Sequence, residues 1–185
     1  MNHKNIASQN AEDLSFEKMI DDWKNMVFNT ALSIVQQTQD AEDITQEVFM
    51  QVFRQWETFR KESAVKTWIY RITVNKCLDH QQKKKRQKNG GLLKRFFGDH
   101  AAEEPVEFEH PGVLTERKEL SQLLFKALQT LPESQKIVFV LHKIEGLNQG
   151  EIADILGITR MAVESKMKRA KNNLTEKLKI MYEKS

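Results

Sequence analysis

Glycine and proline are scarce in this chain of 185 residues, seven and three in all, and the first 89 residues contain neither. Without those breakers the first half has no strong turn punctuation. That points to long helices and excludes a strand-rich or dinucleotide-binding beginning. The single cysteine, Cys77, has no partner for an intrachain disulfide, so packing must hold the fold and a reducing compartment is expected. Cys77 stands among apolar neighbours in a helical pattern, which predicts a buried, inert thiol. No apolar run approaches the roughly 18 to 20 residues that cross a bilayer, so no membrane insertion is expected. The polar opening from Met1 to Ser15 lacks the basic-then-apolar order of a signal peptide, which predicts a cytoplasmic protein. His3, His80, His100, His110 and His142 fall at no metal-ligand spacing with Cys77 or with carboxylates, and there is no glycine-rich phosphate loop. No catalytic site, metal or cofactor is therefore expected.

The net charge of +3 conceals a strong segregation. Residues 1–82 carry nine basic and twelve acidic side chains, residues 83–98 seven and none, and residues 99–119 two and seven. Residues 120–159 carry three and four, and residues 160–185 eight and three. Two basic blocks around an acidic one suit a chain that grips a polyanion at two places, because lysine and arginine displace condensed counterions from phosphates. A solvated charge run would look the same, so motifs must decide.

Leu14, Met19, Ile20, Trp23, Met26, Val27, Ala31, Ile34 and Val35 recur at three- and four-residue spacing and predict an amphipathic helix. A second helix is expected after Thr38 to Asp40, with Asp40 as its cap and Ile44, Val48, Phe49, Val52 and Trp56 on one face. Ser63 suits the cap of a third, from Ala64 to Lys88, whose apolar residues are not confined to one stripe: Val74 and Leu78 lie opposite Ile69. That helix needs cover on two sides, from its neighbours and, on the second side, from a neighbour or a ligand. Gly90, Gly91, Gly98, Pro105, Pro111 and Gly112 mark a flexible linker over 89–112, with Leu92, Leu93, Phe96 and Phe97 as an apolar insert. Leu114, Leu120, Leu124, Ala127, Leu128 and Leu131 predict a further helix. Pro132 fits the first position of the next, which should bury Ile137, Val138, Leu141 and Ile144 and stop at Gly146. The expected fold is all-α: two small helical domains, 14–88 and 113–180, joined by the linker.

The sharpest local signal is Asn148 to Glu151, a cap followed three residues later by Glu, which satisfies two free amides reciprocally. A short helix from Gln149 to Leu156 breaks at Gly157, and Thr159 can cap a longer one. Ala153, Gly157 and Val163 have helix-turn-helix spacing: a small residue at the helix contact, a glycine for the turn, a β-branched residue behind the second helix. An ordinary helical hairpin would share much of this pattern. At 100° per residue, Val163, Met167, Ala170 and Leu174 share one face of that second helix, while Met161, Ser165, Lys168 and Asn172 lie opposite. An apolar back with a basic, hydrogen-bonding front suits a DNA major groove. Arg160, Glu164, Ser165 and Lys168 are the candidates for reading bases; Lys166, Arg169 and Lys171 would position the helix on phosphates.

Residues 40–49 (Asp-Ala-Glu-Asp-Ile-Thr-Gln-Glu-Val-Phe), with 59–63 (Phe-Arg-Lys-Glu-Ser) and 67–72 (Thr-Trp-Ile-Tyr-Arg-Ile), resemble region 2 of the extracytoplasmic-function (ECF, group 4) sigma factors of the sigma-70 family. Leu131-Pro132-Glu133 through Glu145-Gly146-Leu147, then Glu151-Ile152-Ala153 and Leu156-Gly157-Ile158, resemble their region 4. Two motifs in series, in the right order, are far more specific than a lone helix-turn-helix. The resemblance implies a non-enzymatic subunit that binds core RNA polymerase and directs promoter recognition and transcription initiation. It also implies that Asp43, Gln46, Glu47, Met50 and Arg54, opposite Ile44, Val48 and Val52, dock on the polymerase clamp.

By the same resemblance, Lys66, Trp68, Tyr70, Arg71 and Asn75 are the groups available to hold an extruded base of the minus-ten element, with Trp68 serving chiefly as core. Lys83, Lys84, Lys85, Arg86 and Lys88 would follow its backbone. Arg160, Met161, Glu164, Ser165, Lys166, Lys168 and Arg169 would meet the minus-thirty-five element. The acidic stretch Glu103, Glu104, Glu107 and Glu109 resembles the family's cleft-threading linker, although simple disorder would look alike. The family also implies an anti-sigma factor as partner. Lys61, Met161 and Glu164 depart from common family residues, and an acidic Glu164 can accept from cytosine N4, so the upstream sequence it reads does not transfer from relatives. The alternative is a helix-turn-helix transcriptional regulator with an N-terminal sensing or dimerisation domain.

Overall fold

The computed structural model describes residues 3–56, 59, 64–90 and 115–183, and every regular element among them is helical. Helix α1 (His3–Val35) buries Val27, Ala31 and Ile34, spaced by four and three residues as an inward stripe requires. It ends on Gln36, whose φ of 59° is left-handed and whose amide donates to the Leu32 carbonyl at 2.8 Å. That is the cap geometry usually given to glycine.

Helix α2 (Thr38–Gln55) turns its own stripe, Ala41, Ile44, Val48 and Val52, onto α1. The cap expected of Asp40 is not made, because the helix starts at Thr38 with Gln37 before it. Asp40 instead lies inside the first turn, where a carboxylate suits the helix dipole. Its Oδ2 accepts from Lys84 Nζ of the third helix at 3.1 Å.

Helix α3 (Val65–Gly90) buries Ile69, Ile72, Val74 and Cys77, and the Thr73 hydroxyl donates to the Ile69 carbonyl at 2.9 Å. The expected cap, Ser63, lies outside the described residues. Burial around more than one stripe bears out the two-sided cover: α1 and α2 lie on one side and α6 from the second half on the other. Most of the predicted linker, its apolar insert and its acidic stretch also lie outside the described residues.

The second half comprises α4 (Thr115–Gln129), α5 (Glu133–Phe139), a π-helical turn (Val140–Ile144), α6 (Gln149–Leu156) and α7 (Arg160–Tyr182). Pro132 precedes α5 as its cap rather than opening it. Ile137, Val138 and Leu141 are buried as predicted, but Ile144 is 42% exposed. The π turn is the cause: the Glu145 amide bonds to the Val140 carbonyl, five residues back, at 3.0 Å. The wider turn carries Ile144 out of the 3.6-residue register. Ala127, Leu128 and Leu131 pack against Ala170 and Leu174 of α7.

The two helical units are not held apart. One continuous buried cluster runs from Val27, Val48 and Ile69 to Ile137, Leu141 and Ile152. Polar contacts accompany it. Gln36 Nε2 donates to the Phe125 carbonyl at 2.7 Å, and Lys136 Nζ donates to Gln36 Oε1 at 3.2 Å. Lys85 pairs with Glu133 at 3.0 Å. Lys136 is 7% exposed, and loss of water pushes its ammonium pKa down.

Candidate nucleic-acid interface

The helix-turn-helix forms as its sequence predicts. Asn148 Oδ1 accepts from the amides of Gly150 and Glu151 at 2.8 and 3.1 Å, and Glu151 Oε2 accepts from the Asn148 amide at 2.8 Å. Gly157 takes φ 63° in the turn, and Thr159 Oγ1 accepts from the Ala162 amide at 3.1 Å to start α7. Behind α7, Val163, Met167, Ala170 and Leu174 are all buried. In front, Arg160, Glu164, Ser165, Lys168, Arg169 and Lys171 are exposed, Lys166 is half-buried, and Met161 is 79% exposed. One relationship escaped the sequence. The Arg160 guanidinium folds back over the start of α6, where a Cβ on Gly150 would stand 2.9 Å from its Nη2. A side chain there would shift the guanidinium, the far end of a flexible arginine, out of that seat.

On α2, Asp43, Gln46, Glu47, Met50 and Arg54 form one exposed face, as their spacing requires. Lys76 Nζ donates to Glu47 Oε2 at 2.9 Å, and this hydrogen bond holds the Glu47 carboxyl below the usual range. Phe53, exposed beside Met50, extends the face with an aromatic ring that periodicity alone did not mark as a surface residue.

The α3 residues divide. Lys66, Arg71 and Asn75 are exposed, whereas Trp68 is half-buried and stacks on Phe59 with ring centroids 4.6 Å apart. Lys66 Nζ lies 5.8 Å above the Tyr70 ring. Tyr70 itself is 1% exposed, and its hydroxyl donates to Glu145 Oε2 at 2.8 Å. Burial, then the nearby Glu145 carboxylate, pushes the phenol pKa well up. Arg71 Nη2 donates to the Asp154 carbonyl of α6 at 2.7 Å. In the basic run Lys83 and Arg86 are exposed, Lys84 is bound to Gln37 and Asp40, and Lys85 to Glu133. Sequence reasoning could not anticipate these partners, which lie 44 or more residues away.

Cys77 is buried, and desolvation pushes its thiol pKa up to about 12. Among the described residues no cluster of His, Cys, Asp or Glu could hold a metal ion, and no helix is long and apolar enough to cross a membrane.

A helix-turn-helix with a polar recognition face, packed on a three-helix bundle whose last helix is basic, defines a two-part helical DNA-binding protein. Residues 19–87 match the family described as Sigma-70 region 2, and residues 121–174 that described as Sigma-70, region 4. The chain belongs to the sigma-70 family and is an RNA polymerase sigma factor of the ECF type. It is 30% identical over 148 residues to the ECF RNA polymerase sigma-E factor of Escherichia coli K12, covering 75% of this chain and 74% of that one. The RNA polymerase sigma-H factor of Pseudomonas aeruginosa is 26% identical over 175 residues, covering 92% and 89%.

Two solved structures share the fold. The sigma factor RpoE from Bartonella quintana, in complex with the anti-sigma factor NepR, has a TM-score of 0.66 at 23% identity, over 90% of this chain and 98% of that one. CnrH, in complex with the cytosolic domain of CnrY, has a TM-score of 0.65 at 24% identity, over 94% and 95%. The region 2 match does not favour reading the N-terminal half as a sensing or dimerisation module.

Proposed function

We propose that the chain acts as a non-enzymatic adaptor in the cytoplasm, holding core RNA polymerase through α2, the opened minus-ten strand through α3, and the minus-thirty-five duplex through α7. The observation that carries this reading is the division of α7 into a buried apolar back and an exposed basic front, set on a fully capped helix-turn-helix. Arg160, Glu164, Ser165 and Lys168 read bases in the upstream groove, Met161 adds an apolar contact at the first turn, and Lys166 and Arg169 position the helix on phosphates. Asp43, Gln46, Glu47, Met50 and Arg54 meet the polymerase, with charge complementarity setting register. Lys66, Arg71 and Asn75 hold the melted strand, while half-buried Trp68 and buried Tyr70, first read as candidates for contact, support the surface from behind. Lys83, Lys84, Lys85 and Arg86 follow its backbone. An anti-sigma factor is a fitting partner for two helical units with exposed polar faces, as the structural neighbour RpoE of Bartonella quintana is seen with one.

The deciding experiment is transcription of a genomic library in vitro by core polymerase with and without this protein, with the starts mapped. A distinct set of starts that depends on the chain is the expected result. Failure to direct any start would remove the reading.

A further inference from the structure

The helix-turn-helix holds two glycines, and they differ in what their positions require. Gly157 takes φ 63° in the turn with open space around it, so backbone conformation accounts for it. Gly150 follows the Asn148 cap by two residues, inside α6, and has no positive φ. In that setting glycine costs helix stability relative to alanine and gains nothing in conformation. What sets the position apart is the space that a side chain would fill. A Cβ there would stand 2.9 Å from Arg160 Nη2 and 3.2 Å from Arg160 Cζ, so the guanidinium rests directly on this part of α6.

Arg160 opens α7, the helix with the exposed polar front, yet its side chain reaches back across the turn to the start of α6. The acceptors near that start are already engaged. Glu151, the acidic residue of the first turn, accepts from the Asn148 amide at 2.8 Å. Asn148 Oδ1 accepts from the Gly150 and Glu151 amides. Among the described residues the Arg160 side chain makes no hydrogen bond or ion pair. Shape therefore seats the guanidinium, and its donors are left for a partner outside the chain.

Those donors have a chemical match in the upstream duplex. The first turns of a recognition helix reach base edges, and the arginine fork pairs in parallel with O6 and N7 of guanine. A long side chain that ranges freely must give up rotamers to make such a contact; one already confined gives up less.

We infer that Gly150 is a positioning residue for Arg160, and that the pair fixes a guanine preference at one position of the upstream promoter element. This deepens the proposed function and rests on the assignment of α7 to that element. Gly150 acts only through the arginine that it seats.

The test is selection of promoters by the holoenzyme from a library randomised through the upstream element, with the preference at each position compared among variants. Arg160→Ala should erase a guanine preference at one position, a change of roughly tenfold in affinity. Gly150→Ala keeps the arginine but fills its seat. It should reduce the same preference about three- to fivefold and leave the other positions as they were. The double variant should match Arg160→Ala alone, because the two residues act as a unit. Alanine favours helix, so Gly150→Ala should keep or raise the denaturation midpoint; preference lost at undiminished stability separates positioning from a structural role. Gly150→Ser places the same Cβ in the seat and repeats the measurement if the alanine chain folds poorly.

An unchanged preference in a folded Gly150→Ala or Gly150→Ser chain overturns the inference, and so do losses that add in the double variant. A uniform loss across all sequences in Arg160→Ala also overturns it, since that would put the arginine on phosphates. A preference at that position for a base other than guanine removes the assigned contact. Failure of the sigma-factor reading looks different: the unaltered protein with core polymerase would then select no upstream sequence at all.

Discussion

The Tyr70 hydroxyl donates to Glu145 across 2.8 Å of space and 75 residues of chain, joining the bundle to the helix-turn-helix unit. Burial and the carboxylate together raise the phenol pKa, so the folded chain keeps a proton that the unfolded chain releases. The resulting stability is fully present below the ordinary value of 10.0 and is lost as pH climbs above it. With Tyr182→Phe, Tyr70 is the sole tyrosine. Its phenolate absorbance should then stay absent past that pH and rise only as the helical signal falls. An ordinary ionisation step with the helices intact would contradict the buried pairing.

Removing the Asn148 side chain deletes both amide partners at the start of α6. Asn148→Ala should cost about 1 kcal/mol, read as a lower denaturation midpoint at an unchanged slope. A stability equal to that of the unaltered chain would mean that water replaces the cap without loss.

Ile152 is fully buried in the cluster shared by both halves, whereas Ile180 is exposed on α7. Ile152→Ala should cost about 2 to 5 kcal/mol through lost transfer energy and a cavity. Ile180→Ala should stay within roughly half a kcal/mol. Equal effects in chemical denaturation would show that the site collapses around the smaller side chain.

On the front of α7, the expected effects separate by role. Lys166→Ala should weaken upstream-element binding by the holoenzyme across sequences and lower the salt dependence by about one counterion. Lys168→Ala should cut binding to the preferred element by roughly tenfold and flatten its base preference. Glu164→Gln should change which base is preferred at one position, since a carboxylate accepts from cytosine N4 and repels phosphate. Unchanged promoter output with Lys168→Ala would place that lysine outside the groove.

Reversal of Asp43 and Glu47 to lysine should impair core polymerase association while the helical signal is retained, because both are exposed on α2. Glu47 also gives up its pairing with Lys76, so the melting curve must be read alongside the binding curve. Normal holoenzyme assembly by this double variant would remove the docking face from α2.

Local elements were legible because their causes are local. The stripe Ile44, Val48 and Val52, the Asn148 box and the Gly157 turn all follow from residues within a turn or two of one another, and all are found. Asp40 and Ile144 were misjudged for reasons just as physical. A helix start moved by three residues turned a cap into an ion pair, and one π turn rotated an apolar residue into water. The candidate DNA residues on α7 could be sorted into front and back from spacing alone. Those on α3 could not, because what covers Tyr70 and Arg71 is far away in the chain.

Helix identity, the buried stripes and the capped helix-turn-helix were determined by the sequence alone, since 3.6-residue periodicity and cap chemistry act over a few residues. Which donors remain open was decided only by the tertiary structure. Gln36 meeting Phe125 and Lys136, Tyr70 meeting Glu145, and Arg71 meeting Asp154 depend on how two separately patterned helical units pack, a long-range choice that no local spacing encodes.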